Sequence, residues 1–217
     1  MPIYGLTVKN SAGSTIIDGV YKNYSLYESG SFTFSGFYQV VTLGTATPLP
    51  IIVAIKPPAN YVFVKHCTTS GGNYTGFQIN GSEGETVYWK AYVAHPTTKA
   101  GNYGLLVYNA AGELCFDGAR ESFKIYQVNT GISLGVAPSG NQTITHNGIE
   151  NPYYFLSPQC IGNVNDPGPP RWTVFFRNSI KQVSSTSVNI GWLSYDIITG
   201  IQSGYTFNPN QTLIVLK

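Results

Sequence analysis

The sequence contains few charged residues. Asp, Glu, Lys and Arg make up only 10% of its 217 residues, whereas an ordinary soluble domain carries roughly 25%. The 12 basic and 10 acidic residues leave a formal net charge of +2, which excludes the clustered basic surface that nucleic-acid binding needs. Because hydrophobic residues reach 42%, the low charge does not indicate a disordered chain.

Long apolar runs and export signals are also missing. No stretch approaches the ~18 consecutive apolar residues of a transmembrane helix, so we expect no membrane insertion. Residues 1–6 show neither the basic segment nor the apolar core of a signal peptide. Either the sequence is a mature form, or the protein is made and used without Sec export.

Residue types that carry catalytic and metal chemistry are few and scattered. The three cysteines are Cys67, Cys115 and Cys160. Their spacing matches no zinc or CxxC pattern, and Cys115 lies in an apolar stretch that predicts a buried thiol. The histidines, at positions 66, 95 and 146, form no ligand pattern. With no phosphate-loop, nucleophile-elbow or dinucleotide motif either, we expect no enzyme, no metal, no cofactor and no catalytic residue.

Two weaker alternatives compete with that expectation. Glu83 and Glu85 would share one face of a strand, as the two carboxylates of a glycosidase require, but the surrounding Asn, Gly and Ser favour an exposed turn. Asn163, Asn165 and Asp166 supply oxygen atoms at a spacing faintly like that of a calcium loop. They lack further carboxylates, and Asn or Asp before Pro is common in turns.

The pattern that the sequence does contain is that of β-strands, and no window has a sustained helical period. Strands are predicted over residues 50–55, 61–64, 86–93, 171–177, 187–192 and 211–217. In residues 86–93, Val87, Trp89, Ala91 and Val93 alternate with Tyr88, Lys90 and Tyr92, so the first set should face a core. The runs 50–55 and 61–64 are apolar on both faces and predict central strands joined by a turn at 56–60. Frequent Gly, Asn and Pro turns between short strands predict an all-β fold of antiparallel β-sandwich type.

An internal repeat is the most specific feature. Residues 4–27 and 103–126 align without gaps, and ten of the 24 positions are identical. The identical positions include Tyr4, Gly5, Leu6, Asn10, Gly13 and Asp18, which match Tyr103, Gly104, Leu105, Asn109, Gly112 and Asp117. The pattern predicts a hairpin whose turn needs Asn and Gly because positive φ is cheap for them. Asp18 and Asp117 are expected to brace the following turn through neighbouring backbone groups, the alternative being a shared carboxylate site.

The repeat predicts two related halves, residues 1–97 and 98–217, each a β-sandwich half that opens with the repeated hairpin. The polar stretch 94–101 is the predicted linker. It is short enough for the halves to pack as one unit or to share a sheet.

Aromatic residues suggest a surface for a ligand. Tyr153 and Tyr154 are the predicted surface contacts, and other aromatic residues lie at positions 24, 27, 37–38, 195 and 205. Exposed Tyr beside Asn and Gln suits sugar binding, through stacking and neutral hydrogen bonds, whereas about half of such aromatics would instead fill a core.

The repeated motif, YGLxVxNxxGxxxxD, resembles the start of a family of small tailed-bacteriophage proteins associated with tail-tip and tail-fibre genes. The resemblance covers the two 24-residue stretches, with one notable departure between the copies at Lys9, where the second has Tyr108. It implies a structural component of a tail tip or baseplate, located in the virion tail after assembly in the host cytoplasm. The implied partners are copies of the chain, with a trimer favoured, other phage tail proteins, and a host-surface glycan or receptor. A carbohydrate-binding, lectin-like β-sandwich module is the alternative function.

Overall fold

The fold is all-β. The computed structural model describes residues 7–9, 15–18, 23–94, 104–134, 140–146, 149, 152–157, 161–166, 172–199 and 210–216. Its strands are β1 (Thr7–Lys9), β2 (Thr15–Asp18), β3 (Tyr24–Thr33), β4 (Tyr38–Thr47), β5 (Ile51–Lys56), β6 (Phe63–Ser70), β7 (Asn73–Asn80), β8 (Thr86–Ala94), β9 (Leu106–Tyr108), β10 (Leu114–Asp117), β11 (Ile125–Ser133), β12 (Gln142–Thr145), β13 (Tyr153–Ser157), β14 (Ile161–Asp166), β15 (Trp172–Ser184), β16 (Ser187–Thr199) and β17 (Asn210–Leu216). The described residues contain no helix that is long and apolar enough to cross a membrane.

The strands form several antiparallel sheets, which confirms the predicted fold class. The largest has six strands in the order β11-β17-β13-β5-β8-β3. A four-stranded sheet has the order β12-β16-β15-β14 and a three-stranded sheet the order β4-β7-β6. Two further two-stranded sheets are the hairpins β1-β2 and β9-β10.

The main core lies against one face of the six-stranded sheet, as the alternation in β8 predicts. Val87, Ala91 and Val93 are fully buried, and Trp89 is 5% exposed. Trp89 meets Phe77 of β7 edge to face, with ring centroids 5.1 Å apart. Fully burying a side chain of this size contributes roughly 1.5–3 kcal/mol, so this row anchors the six-stranded sheet on the three-stranded one.

Tyr92 departs from the expectation that it faces outward to solvent. It is fully buried in a second cluster with Ala54 and Leu216, on the other face of the same sheet. Phe123, in the segment before β11, covers it edge to face at 4.9 Å between ring centroids. Alternation in one strand could not reveal this cover, because the covering segment comes about 30 residues later in the chain.

The two predicted central strands belong to different sheets. The first, β5, is central, between β13 and β8. The second, β6, forms an edge of the three-stranded sheet and is therefore not central. The predicted turn between them carries the chain from one sheet to the other, and the Pro57-Pro58 pair suits that change because neither nitrogen can donate to a ladder.

The six-stranded sheet includes strands from both predicted halves. Its strands β3, β5 and β8 come from residues 1–97, and β11, β13 and β17 come from residues 98–217. Tyr154 pairs with Ile55 where the two groups meet. A shared sheet was one of the two arrangements left open by the sequence. The boundary at 97 and 98 stays a prediction, since residues 95–103 lie outside the described residues.

The repeat forms the same hairpin twice. Thr7 pairs with Asp18 in the first copy, and Leu106 pairs with Asp117 at the equivalent positions of the second. Both ladders also shift register at the equivalent place, after Val8 and before Phe116. In the second copy the turn is built on Asn109, whose side-chain oxygen accepts hydrogen bonds from the backbone nitrogens of Ala111 (3.0 Å) and Glu113 (2.9 Å). Gly112 closes the turn at a φ of 77°.

We therefore predict that Gly112→Val destabilises the protein and lowers its soluble yield. A residue with a Cβ atom in the left-handed region lowers the free energy of unfolding by about 1–2 kcal/mol. The midpoint of thermal unfolding should therefore fall by about 3 °C or more. Gly112→Asn is the matched control. Because Asn tolerates the left-handed region, the unfolding midpoint of this variant should fall less than that of Gly112→Val. An unchanged melting curve for Gly112→Val would refute this account of the turn.

Candidate functional site

The repeat residues of the second copy serve the hairpin itself. Asp117 is 2% exposed, and its carboxylate accepts a hydrogen bond from the backbone nitrogen of Ala119 at 2.9 Å. Its other oxygen lies 3.6 Å from Arg120 Nε. The next residue, Gly118, donates to the backbone oxygen of Leu105 at 2.8 Å. These contacts confirm that Asp117 braces the turn, and its burial leaves no exposed carboxylate for a ligand.

Of the remaining repeat residues, the structure describes Gly104, Leu105 and Asp18. Gly104 has a φ of 119° and Leu105 is 48% exposed beside it. For Asp18 the structure gives the strand and its pairing only. The predicted residues Tyr4, Gly5, Leu6, Asn10, Gly13 and Tyr103 lie outside the described residues.

The two tyrosines predicted as surface contacts lie on opposite faces of β13. Tyr154 is 3% exposed and packs in the main core, so the expectation of a surface contact does not hold for it. Its hydroxyl is hydrogen-bonded to His146 Nε2, and burial raises its pKa. Tyr153 is half-buried on the outer face of the sheet. Adjacent strand residues point to opposite sides, so only one of the two can reach the surface.

Tyr153 belongs to what we call the outer cluster: Lys56, Tyr88, Lys90, Glu121 and Tyr153. Lys90 Nζ lies 2.6 Å from Glu121 Oε1 and 4.5 Å from the centroid of the Tyr153 ring. Lys56 pairs with Tyr88 across the strands, and its Nζ lies 5.5 Å from that ring centroid. Burial first, then the charge of Glu121 and the neighbouring Tyr88, raise the pKa of Tyr153. The cluster therefore offers neutral phenols and ammonium groups on a sheet surface.

Two edge strands expose large apolar side chains. At the start of β4, Phe37 is 83% exposed, Tyr38 59% and Val40 44%. Along β11, Ile125 is 55% exposed, Tyr126 48% and Val128 50%. β4 ends the three-stranded sheet and β11 ends the six-stranded one. The sequence indicated the pair 37–38 as aromatic and a strand after Asp117-Gly118, but not the exposed edge that β11 forms. Its usable signal was a strand-like stretch, 125–133, without a single charge or proline.

The residue types that hold metal ions do not come together in the described part of the chain. No group of three His, Cys, Asp or Glu there is placed to hold a metal ion. Residues 163, 165 and 166 belong to β14, where Asn163 pairs with Phe175 of β15, so their backbone is a strand and not a calcium loop. Glu83 is exposed in a turn, and Glu85 accepts a hydrogen bond from Asn60.

Two cysteines lie among the described residues, and one of them, Cys115, is buried as predicted. Cys115 is 1% exposed. Cys67 is half-buried in β6, and burial raises its pKa, which keeps the thiol protonated and weakly nucleophilic. Cys160 lies outside the described residues.

His146 is the one histidine that the structure buries among the described residues. It is 1% exposed, and its Nε2 is bonded to the Tyr154 hydroxyl. Its Nδ1 is buried without a hydrogen-bond partner. Burial lowers the pKa of the imidazole, so the folded protein holds it neutral. This pair lies within the core and connects β13 to the end of β12.

Comparison of the chain with protein-family models, with curated proteins and with solved structures finds no match. The resemblance carried by the repeat therefore stays a prediction. What the chain does has to follow from the surfaces described above, namely the outer cluster and the two exposed edges.

We predict that the buried His146 makes the protein less stable in mild acid. The unfolded histidine, with a pKa of about 6.5, takes up a proton before the folded one does. The contribution of neutral, buried His146 to the free energy of unfolding is therefore complete above that pH and is lost as the pH falls below it. Urea unfolding of the wild type at about pH 7.5 and about pH 5 measures the loss.

His146→Gln removes this titration, and its free energy of unfolding should depend less on pH over the same range. His66→Gln, at an exposed histidine of β6, is the matched control and should keep the wild-type dependence. Equal pH dependence in the wild type and His146→Gln would contradict the assignment.

Proposed function

We propose that the protein is a non-catalytic structural component of a bacteriophage tail tip or baseplate, and that it assembles with copies of itself through exposed sheet edges. The observation that carries the proposal is the apolar surface of β4 and β11. Large side chains on both strands are between 44% and 59% exposed, and Phe37, directly before β4, is 83% exposed.

Both edges lack charge and proline, two of the usual protections against pairing, although their ladders contain register shifts, between Thr42 and Thr47 in β4 and after Ile125 and Asn129 in β11. Natural edge strands are blunted by Lys, Pro, bulges or short length. Residues 38–47 and 125–133 contain no charged residue and no proline, and the strands are 10 and 9 residues long. An edge of this kind favours aggregation in a monomer and suits strand addition in an assembly.

The low charge of the chain supports the same role. Burying ions at an interface costs free energy unless each is well paired, so interface centres are depleted of charge. A chain with 10% charged residues can form contacts over much of its surface without that cost. The resemblance of the repeated motif to phage tail proteins supplies the tail location, the other tail proteins as partners, the preferred trimer and the host receptor.

Mass spectrometry of purified virions tests the tail location directly. A chain that is present in stoichiometric amounts with the other tail proteins would support it. If the particles lack this chain, the tail assignment is wrong, whatever its oligomeric state.

We predict that Val128→Lys weakens self-association. Burial of a Val side chain contributes roughly 1.5–3 kcal/mol, so losing it should raise the dissociation constant at least about tenfold. Analytical ultracentrifugation over a range of concentrations measures this change. Val183→Lys, at a Val of β15 that is 56% exposed, is the matched control and should sediment like the wild type. A monomeric wild type would remove the basis of the assembly proposal.

Carbohydrate binding is a second candidate, and the outer cluster favours it. Tyr88 is 47% exposed beside Lys56, and Tyr153 lies half-buried near it on the same face. Tyrosine rings stack on the apolar faces of sugars, and their hydroxyl groups supply neutral hydrogen bonds. The two candidates are compatible, because a tail protein can bind a host-surface glycan.

A glycan array tests this candidate, and we predict that Tyr88→Ala and Tyr153→Ala each weaken binding about tenfold or more, as the loss of one stacking contact requires. Tyr108→Ala removes a tyrosine that is 50% exposed on the β9 strand, away from the outer cluster, and should bind as the wild type does. No binding by the wild type, or equal losses in all three variants, would count against a sugar site at this cluster.

A further inference from the structure

A cavity of about 190 Å³ lies between the six-stranded sheet and β6. One wall comes from β5 and β13 and includes Ile51, Val53, Ile55, Tyr154 and Leu156. The other comes from residues 62–67 and from Ile180 of β15. The cavity uses none of the exposed side chains on which the assembly proposal rests.

The strand arrangement explains why space is left here. Val62 and Ile180 exchange two backbone hydrogen bonds of 2.9 Å each, but this is an isolated bridge and no ladder follows it. Beyond Val62 the chain enters β6 and pairs with β7 of the three-stranded sheet. The chain past Val62 therefore follows β7 rather than β15, and the cavity lies beside this segment, with Ile180 as its lining residue from β15.

The cavity runs from the core to the surface. At its inner end Val62, Ile180, Ile55 and Tyr154 are at most 3% exposed. At its other end Val64, Cys67 and Leu156 are half-buried, and His66 is exposed. A small molecule can thus enter along β6 without unfolding the sheet.

The lining is apolar and uncharged in its deep part. Aliphatic side chains dominate it, and the hydroxyl of Tyr154 is already hydrogen-bonded to His146. The Cys67 thiol stays protonated because burial raises its pKa. The deep part therefore offers a water molecule few hydrogen bonds, like a closed apolar cavity of about 150 Å³ that binds benzene, while Lys65 and His66 line the outer part.

We propose that this cavity binds a small apolar molecule, of the size of a single aromatic ring or a short alkyl chain. The site goes beyond the proposed function and does not depend on it. Its affinity comes from removing apolar ligand surface from water and from contacts with the apolar wall.

Thermal unfolding with and without benzene tests the proposal. Benzene in excess over its dissociation constant should raise the midpoint of unfolding of the wild type by about 3 °C or more. Val53→Phe and Val64→Phe place a ring in the deep and the outer part of the cavity, so both should abolish the shift. Val183→Phe, at a surface position of β15 that is 56% exposed, is the matched control and should keep it.

A second measurement does not depend on the stability of the filled variants. In the double variant Cys115→Ser, Cys160→Ser, Cys67 is the remaining thiol, and bound benzene should slow its reaction with a disulfide reagent severalfold. Protection together with the unfolding shift supports the site. No shift in the wild type, an equal shift in the filled variants, or an unchanged thiol reaction would overturn it.

Discussion

The insertion of β17 between β11 and β13 is the constraint on which the rest of the structure depends. Leu213, Val215 and Leu216 of this strand are fully buried, and they contribute to the clusters on both faces of the six-stranded sheet. A strand that is buried on both faces must satisfy its backbone groups within the sheet. The ladders to β11 and β13 do this, so β11 and β13 are fixed by a strand from the end of the chain.

The same insertion determines which strand is left at the edge. With β17 and β13 inside, β11 becomes the border of the sheet, and its apolar side chains face outward. At the opposite border β3 receives the segment before β11, where the Leu26 nitrogen donates to the Glu121 oxygen at 2.7 Å. That segment also carries Phe123 over Tyr92. The β3 border is thus covered by the chain's own residues, whereas the β11 border exposes apolar side chains. Self-assembly through the β11 edge would use this difference between the two borders.

Local sequence patterns predicted the strands well, but they did not predict which segments of the chain pack against the faces of those strands. Period-two alternation identified the core row of β8, and the repeat predicted two hairpins that share their register, because both signals act between near neighbours in sequence. The burial of Tyr92 depends on Phe123, which comes about 30 residues later, and Tyr154 packs with His146, which lies before β13 at the end of another strand. The position of β6 at an edge, and the cavity beside it, follow from which sheet β6 joins, and such long-range pairings leave no periodic trace in a single sequence.

The three surfaces proposed for function lie on different parts of one scaffold. The edge of β11 offers exposed apolar side chains. The outer cluster lies on β5, β8 and β13 in the interior of the same sheet, and the cavity opens along β6 on the core side. Strand addition at β11 extends the six-stranded sheet in its own plane, so it leaves the outer face of β8 and the opening at His66 accessible. Self-assembly and ligand binding therefore do not compete for the same residues, and a repeated assembly would present one outer cluster and one cavity per copy. Weak sugar contacts at such a cluster gain avidity when several copies engage one surface, which gives the assembly through the edge a physical consequence for binding.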